Sequence, residues 1–254
     1  MDLQLKEKKV LITGGSKGIG RSCAEIMASE GCALNLAARG KGALLGAKEA
    51  IQSKFGVAVE VHAVDLSNGD DARSLAEACP DIDILVNNAG AIPTGDLWQV
   101  DEKKWREAWD LKVFGYINLC RAVLPQMQKR GKGVIINVIG GAGERPNRRY
   151  IAGGAGNAAL MAFTKAMGAK SMRDNIRVVG INPGLIKTAR LEDLMRSLAK
   201  ARFNDAERWK ELLPSDPPPG DPEDVAHMVA FLTSDLAKYV TGTIVTIDGG
   251  ATAG

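Results

Sequence analysis

The chain is 254 residues long, 45% hydrophobic and 25% charged; it holds enough apolar side chains for a full globular core and falls outside the disordered and fibrous classes. Thirty-three basic residues against 30 acidic ones leave a net charge of +3, far below the excess that counterion release from a polyanion rewards, so no nucleic-acid partner is expected. No apolar run approaches the roughly 20 residues of a bilayer span. The opening MDLQLKEKKV lacks the apolar centre of a secretory signal, so a cytoplasmic protein without a membrane partner is expected. Cys23, Cys32, Cys79 and Cys120 form no CxxC pair, and only His62 and His227 accompany them; the thiols are expected to be reduced and mostly buried, and no metal is expected.

Along the chain, short apolar runs alternate with longer amphipathic stretches. Strands are expected at 8–13 (KKVLIT), 32–38 (CALNLAA), 57–64 (VAVEVHAV), 83–87 (DILVN), 133–139 (GVIINVI), 176–182 (IRVVGIN) and 243–248 (TIVTID), with helices near 18–30, 41–54, 70–79, 101–130, 152–172 and 222–234. Strands that are near-continuous hydrophobic runs, separated by helices, specify a parallel sheet covered on both faces. The expected fold is α/β and doubly wound, a single domain over residues 1–254. One stretch breaks the rhythm: 185–220 carries two charged helical pieces, ARLEDLMRSLAKAR and DAERWKELL, and runs into Pro217, Pro218 and Pro219. An insertion after the carboxyl end of a strand lies where ligands bind in such a sheet, which makes 185–220 a candidate substrate lid. A packed surface excursion is the alternative.

The first strand runs straight into Thr13-Gly14-Gly15-Ser16-Lys17-Gly18-Ile19-Gly20 and then a helix. Glycines there permit a tight turn, the approach of a pyrophosphate and close helix packing, while the helix N-terminus offers free N–H groups and positive potential. In a dinucleotide site an acid at the end of the second strand would hydrogen-bond the adenosine ribose. Ala37-Ala38-Arg39 stands there instead, and Arg39 with Lys17 offers fork-shaped, cationic recognition of a 2′-phosphate. The expected cofactor is NADP(H).

From these residues onward the sequence resembles the short-chain dehydrogenase/reductase family from end to end. Gly14, Ser16, Lys17, Gly18, Ile19 and Gly20 fall in a TGxxxGxG turn; Asp65 and Leu66 match the adenine-contacting acid and its neighbour; Asn88, Ala89 and Gly90 complete an NNAG motif begun by Asn87. Pro183 and Gly184, with Ile186 and Thr188, resemble the segment that holds the nicotinamide carboxamide. Residues 222–226 and 241–250 resemble the C-terminal signature. The resemblance implies a Rossmann-type sheet of seven strands, a nicotinamide cofactor held by these residues with Arg39, and a homo-oligomer, tetramer or dimer.

It also implies the chemistry. A tyrosine supplies a proton to the nascent alkoxide, a lysine four residues on holds the ribose and lowers the pKa of the tyrosine, a serine polarises the carbonyl, and an asparagine anchors a relay water. GVIINVIGGAG resembles IVNISSxAG and puts Gly140 at the serine position; AGNAALMAFTK resembles ASKAALxxFTK and puts Asn157 at the lysine and Gly153 at the tyrosine; DLKVFGYINLCRAVLP puts Lys112 at the asparagine. None of the four positions carries the expected residue. Gly153 and Gly154 each cost about 1 kcal/mol of helix stability relative to Ala and are expected to open a larger cavity beside the nicotinamide, filled by substrate or by a rearranged side chain.

Three side chains are candidates for the missing acid. Lys112, desolvated on the long helix, would have a depressed pKa suited to acid–base work or imine formation; a lysine paired with a nearby acid is the alternative. Tyr150, just before Gly153, either reaches back with its phenol or packs. Tyr116, one turn after Lys112 on the same face, either completes a reversed Lys/Tyr pair or packs between subunits. Asn157 keeps one ribose hydrogen bond without the charge, so Lys112, Tyr150 and Asn157 are the catalytic candidates. Arg145, Arg148, Arg149 and Arg190 near the same mouth point to a small-molecule substrate bearing a carboxylate or phosphate. The expected function is NADP(H)-dependent interconversion of a carbonyl and an alcohol with an unconventional proton donor. An NADP(H)-binding protein without turnover and a non-redox enzyme that uses the Lys112 amine are the alternatives.

Overall fold

The structure is a computed structural model that describes residues 2–253. Seven strands, β1 (Lys9–Thr13), β2 (Ala33–Ala38), β3 (Val59–Ala63), β4 (Ile84–Asn87), β5 (Gly133–Val138), β6 (Ile176–Pro183) and β7 (Thr243–Ile247), form one parallel sheet in the order β3-β2-β1-β4-β5-β6-β7. The order runs one way from β1 to β3 and the other way from β4 to β7. The crevice at the carboxyl ends of β1 and β4 is therefore the switch point at which ligands bind in doubly wound sheets.

Side chains alternate across each strand and build a core on both faces. Val10 and Ile12 of β1 pack with α1 (Gly18–Ser29), α2 (Lys41–Phe55) and α8 (Pro222–Thr233) on one side. Leu11 packs with α3 (Gly69–Ala78) and α5 (Gly115–Arg130) on the other, where Phe163 of α6 (Ile151–Gly168) joins them. All four cysteines are free and buried in these layers, and burial pushes the Cys23 thiol up to about 12. Among the described residues no helix is long and apolar enough to cross a membrane.

The structure departs from the sequence expectations at three helices. The stretch expected as one helix over 101–130 is α4 (Glu102–Trp109), a five-residue π turn (Asp110–Phe114) and then α5; the Gly115 N–H reaches back to the Asp110 carbonyl. A one-residue widening hardly alters the apolar period, so the pattern cannot show it. The helix expected over 152–172 stops at Gly168, because a 3-10 turn (Ser171–Asp174) follows, flanked by Lys170 and Asn175 at φ of 63° and 54°. After β6, α7 (Ala189–Phe203) is joined by a 3-10 helix (Ala206–Leu212) where a second α-helical piece was expected. Arg196 of α7 pairs with Glu192 and Glu207 and lies over the Trp209 ring. The two pieces pack on each other far more than on any other helix or strand.

The ends of β1 and β4 are joined by one hydroxyl. Thr13 is wholly buried, and its Oγ1 accepts the backbone N–H of Asn88 at 2.9 Å and of Ala89 at 3.0 Å. Thr13→Val keeps the shape and leaves two donors without a partner; the expected loss is about 2–4 kcal/mol, read as a melting temperature several degrees lower. A change within about 0.5 kcal/mol would show the hydroxyl to be dispensable.

Candidate active site

At the end of β1 the chain turns through Gly14, whose φ of +67° is a left-handed conformation that glycine adopts without strain. A Cβ added at Gly20 would lie 2.4 Å from both Asn88 Nδ2 and the Gly14 carbonyl, so α1 meets the turn and the end of β4 at a distance no side chain permits. Asn88 Nδ2 donates to the Thr13 carbonyl at 3.0 Å and makes the side wall. Helices α3, α4 and α7 are capped by the side chains of Asn68, Asp101 and Thr188, whereas α1 has no side-chain cap and no acid in its first turn. Its leading N–H groups and the positive end of its dipole are thus left for an anion.

The other expected cofactor residues surround this turn. Arg39 and Lys17 are exposed, and Ala38 at the end of β2 supplies no carboxylate. The Asp65 carboxylate is held by the N–H of Ser67 at 3.1 Å and its hydroxyl at 2.9 Å, beside buried Leu66. Gly184 donates to the Ile247 carbonyl at 2.9 Å, and Ile186 pairs with Gly220 in a parallel bridge. Thr188 caps α7, and its methyl group would stand 3.4 Å from a Cβ at Gly18, which brings the segment after β6 over the glycine turn.

Beside it, the four positions singled out by motif spacing are filled in pairs. The Gly140 N–H donates to Asn182 Oδ1 at 3.3 Å and its carbonyl accepts from Asn157 Nδ2 at 3.2 Å; a Cβ at Gly140 would lie 2.9 Å from that nitrogen. Asn157 therefore occupies the space in front of Gly140. It is 2% exposed, and its Oδ1 has no hydrogen-bond partner. Asn182 Nδ2 donates in turn to Glu144 Oε1 at 2.9 Å, and Thr246 also donates to that carboxylate. Glu144 escaped the sequence reading, since an acid in a mixed-charge loop carries no periodic or motif signal. Asn182, an amide closing an otherwise apolar strand, was visible.

The cavity expected at Gly153 is filled by a rearranged side chain. A Cβ there would fall 2.0 Å from Tyr150 Cζ, so the Tyr150 ring lies directly on the glycine. Burial pushes the Tyr150 phenol up, against the nearby Arg190 guanidinium.

Lys112 and Tyr116 do share a helix face, but they do not pair. Lys112 Nζ donates to the Ile139 carbonyl at 2.5 Å and the Tyr116 hydroxyl donates to the preceding carbonyl, Val138, at 2.8 Å. Tyr116 is 2% exposed and burial holds its phenol far above the usual range, so it is a packing residue. Lys112 has no carboxylate partner; burial, and secondarily Arg190, depress its amine from 10.5 to about 7. Its stem runs along Gly90, where a Cβ would lie 2.8 Å from Lys112 Cδ. Arg190 is anchored, donating to the carbonyls of Gly90 at 2.7 Å and Ile92 at 3.0 Å. Arg145 is tied to the Ala251 carbonyl at 2.9 Å, while Arg148 and Arg149 are exposed. The four arginines do not converge on one point.

The Tyr150–Gly153 contact is testable because it inverts a propensity rule. Ala should favour helix over Gly by about 1 kcal/mol, yet Gly153→Ala must expel the ring and is expected to destabilise by roughly 1–3 kcal/mol. In the Tyr150→Ala background the same change should stabilise. Thermal melts of the four proteins check this, and a stabilising Gly153→Ala in the parent would contradict the packing.

Residues 14–252 match the family described as enoyl-(acyl carrier protein) reductase. An uncharacterized oxidoreductase of Bacillus subtilis, YvrD, is 32% identical over 98% of both chains. The 3-oxoacyl-(acyl-carrier-protein) reductase of Chlamydia muridarum is 30% identical over 98% of this chain and 99% of its own. Among solved structures, L-sorbose reductase from Gluconobacter frateurii complexed with NADPH and L-sorbose superposes with a TM-score of 0.92 at 33% identity over the whole of both chains. With the sheet order, the glycine turn and these matches together, the chain belongs to the short-chain dehydrogenase/reductase family.

Proposed function

We propose that the protein is an NADP(H)-dependent oxidoreductase that interconverts a small carbonyl compound and its alcohol with a proton source other than the usual tyrosine. The observation that carries the reading is the uncapped first turn of α1 inside a cradle no side chain can enter, flanked by exposed Arg39 and Lys17 and with Ala38 where an acid would exclude a phosphate. The dinucleotide would be held by Gly14, Ser16, Lys17, Gly18, Ile19 and Gly20 at the pyrophosphate, and by Asp65 and Leu66 at the adenine. Asn88, Ala89 and Gly90 would line the ribose, and Pro183, Gly184, Ile186 and Thr188 the carboxamide. Asn157 fits the same ligand: a buried oxygen without a donor is costly, and a ribose hydroxyl would satisfy it. When bound, the cofactor supplies a hydride. L-sorbose reductase, one third identical, was crystallised with NADPH, which supports the phosphorylated form here.

The excursion from 185 to 220 acts as a substrate lid in this reading, since Thr188 and Arg190 at its start reach the glycine turn and the end of β4. Exposed Arg148 and Arg149 at the rim favour an anionic substrate. Assembly with further copies of the chain belongs to the same reading. A groove of about 420 Å³, in which Leu97, Val100, Trp105, Trp109 and Phe114 lie beside Glu102, Arg106 and Asp110, supports it.

NADPH is expected to bind at least tenfold more tightly than NADH, a difference of about 1.4 kcal/mol, and Arg39→Ala is expected to remove most of the preference by weakening NADPH alone. Fluorescence titration of both proteins with both cofactors measures this. Equal affinities, or a preference that survives the substitution, would overturn the assignment of NADP(H).

A further inference from the structure

We propose that Lys112 Nζ is the acid–base group of this site, giving a proton to the oxygen of a carbonyl as it is reduced and taking one from the alcohol in reverse, and that Arg190 is its positioning residue. The proposal rests on the oxidoreductase reading above and names its proton source.

Lys112 sits in the π turn at the head of α5, and its stem is laid along Gly90 toward the carboxyl edge of the sheet. There Nζ spends one hydrogen bond, on the Ile139 carbonyl, the last backbone oxygen before Gly140. An ammonium has three donors, so two remain for whatever enters the crevice. Tyr116, one turn on, already ties the same helix to the end of β5 through a neutral bond, and an unpaired cation in a desolvated place is costly.

The groups that bear on the charge of the amine include no counter-charge. From α7 comes Arg190, a second cation; from α5, the sealed phenol of Tyr116; from the start of α6, Tyr150, which faces the same guanidinium. The ends of β4 and β5 bring a glycine and backbone carbonyls only. No carboxylate of the described residues lies within ion-pair reach. Desolvation first, and Arg190 second, then bring the amine to about 7, where it exchanges protons readily at neutral pH. Arg190 is held for this task by its bonds to the Gly90 and Ile92 carbonyls, on the strand end that Lys112 crosses. Tyr150 is the poorer acid, because burial raises its phenol and its ring is used to fill the space over Gly153.

The step balances as follows. With a reduced nicotinamide bound, the carbonyl carbon would receive its hydride pair, leaving the nicotinamide oxidised, and the C=O π electrons would move to oxygen; Nζ would give that oxygen one proton and become a neutral amine, which water reprotonates. Reduction therefore needs the ammonium and falls as pH rises through about 7, whereas alcohol oxidation needs the neutral amine and rises through the same pH.

The test begins without substrate. In protein labelled with 13C at lysine Cε, one resonance should titrate near pH 7, vanish in Lys112→Met and move to higher pH in Arg190→Met. A Lys112 resonance that titrates above pH 9, like an ordinary lysine, overturns the proposal. NADPH oxidation is then followed with a panel of ketoses and 2- and 3-oxo acids. Lys112→Met and Lys112→Arg should each bind NADPH within about threefold of the parent and lose about 10² to 10⁴ in kcat. Arg190→Met should shift the reduction profile toward higher pH. Full kcat in either Lys112 variant overturns the proposal, while failure of the parent to bind NADPH overturns the oxidoreductase reading instead.

Discussion

A single buried hydroxyl sets the geometry on which the crevice depends. The Thr13 oxygen receives two backbone N–H groups from the residues that follow β4, and so fixes the height at which β1 and β4 leave the sheet. The glycine turn, the Asn88 wall and the Gly90 surface along which Lys112 runs are all referred to that one contact. β1 and β4 pair directly from Val10–Ile84 to Ile12–Val86, but that pairing stops one residue short of Thr13, and the chain connection between the two strands is a distant crossover. A polar tie at the switch point does locally what the connections cannot, and its burial in an apolar core makes it stiff.

Around that frame the space beside two glycines is filled by neighbouring side chains. Two positions that lack side chains, Gly140 and Gly153, face the Asn157 amide and the Tyr150 ring at distances that no Cβ would allow. Each glycine and its neighbour therefore form one packing unit, and changing either alone creates a clash or a void. Serine at Gly140 or tyrosine at Gly153 would collide with those neighbours. Lys112 reaches the same region from a different element, a π turn that alters the helical register there.

Much of this was visible in the sequence, for identifiable reasons. Apolar runs such as KVLIT and IRVVGIN located the strand ends within two residues, because a sheet buried on both faces tolerates little else. The glycine turn was legible because three physical demands fall on adjacent residues. The Lys112–Tyr116 face followed from helical spacing, but their acceptors, the carbonyls of Val138 at the end of β5 and of Ile139 just after it, lie on a segment that helical spacing cannot place against them. The grip of Arg190 on Gly90 spans 100 residues of chain and leaves no trace in composition or period. The Tyr150 ring over Gly153 depends on a loop conformation, and loops are where side-chain direction is least determined by local pattern.

The excursion between β6 and α8 also bears on how such a protein changes over time. Its two ends meet in the Ile186–Gly220 bridge, where the Lys187 N–H donates to the Gly220 carbonyl and the Gly220 N–H donates to the Leu185 carbonyl, and its helices are pinned mainly to each other by Arg196 and its partners. Beyond Arg190 the excursion is thus a cassette: changes of length there fall outside every strand pairing of the sheet, whereas Thr188 and Arg190 at its start reach the glycine turn and the Gly90 and Ile92 carbonyls. Variation is free to collect in the middle of the excursion, provided that its start still presents a guanidinium to the Gly90 and Ile92 carbonyls.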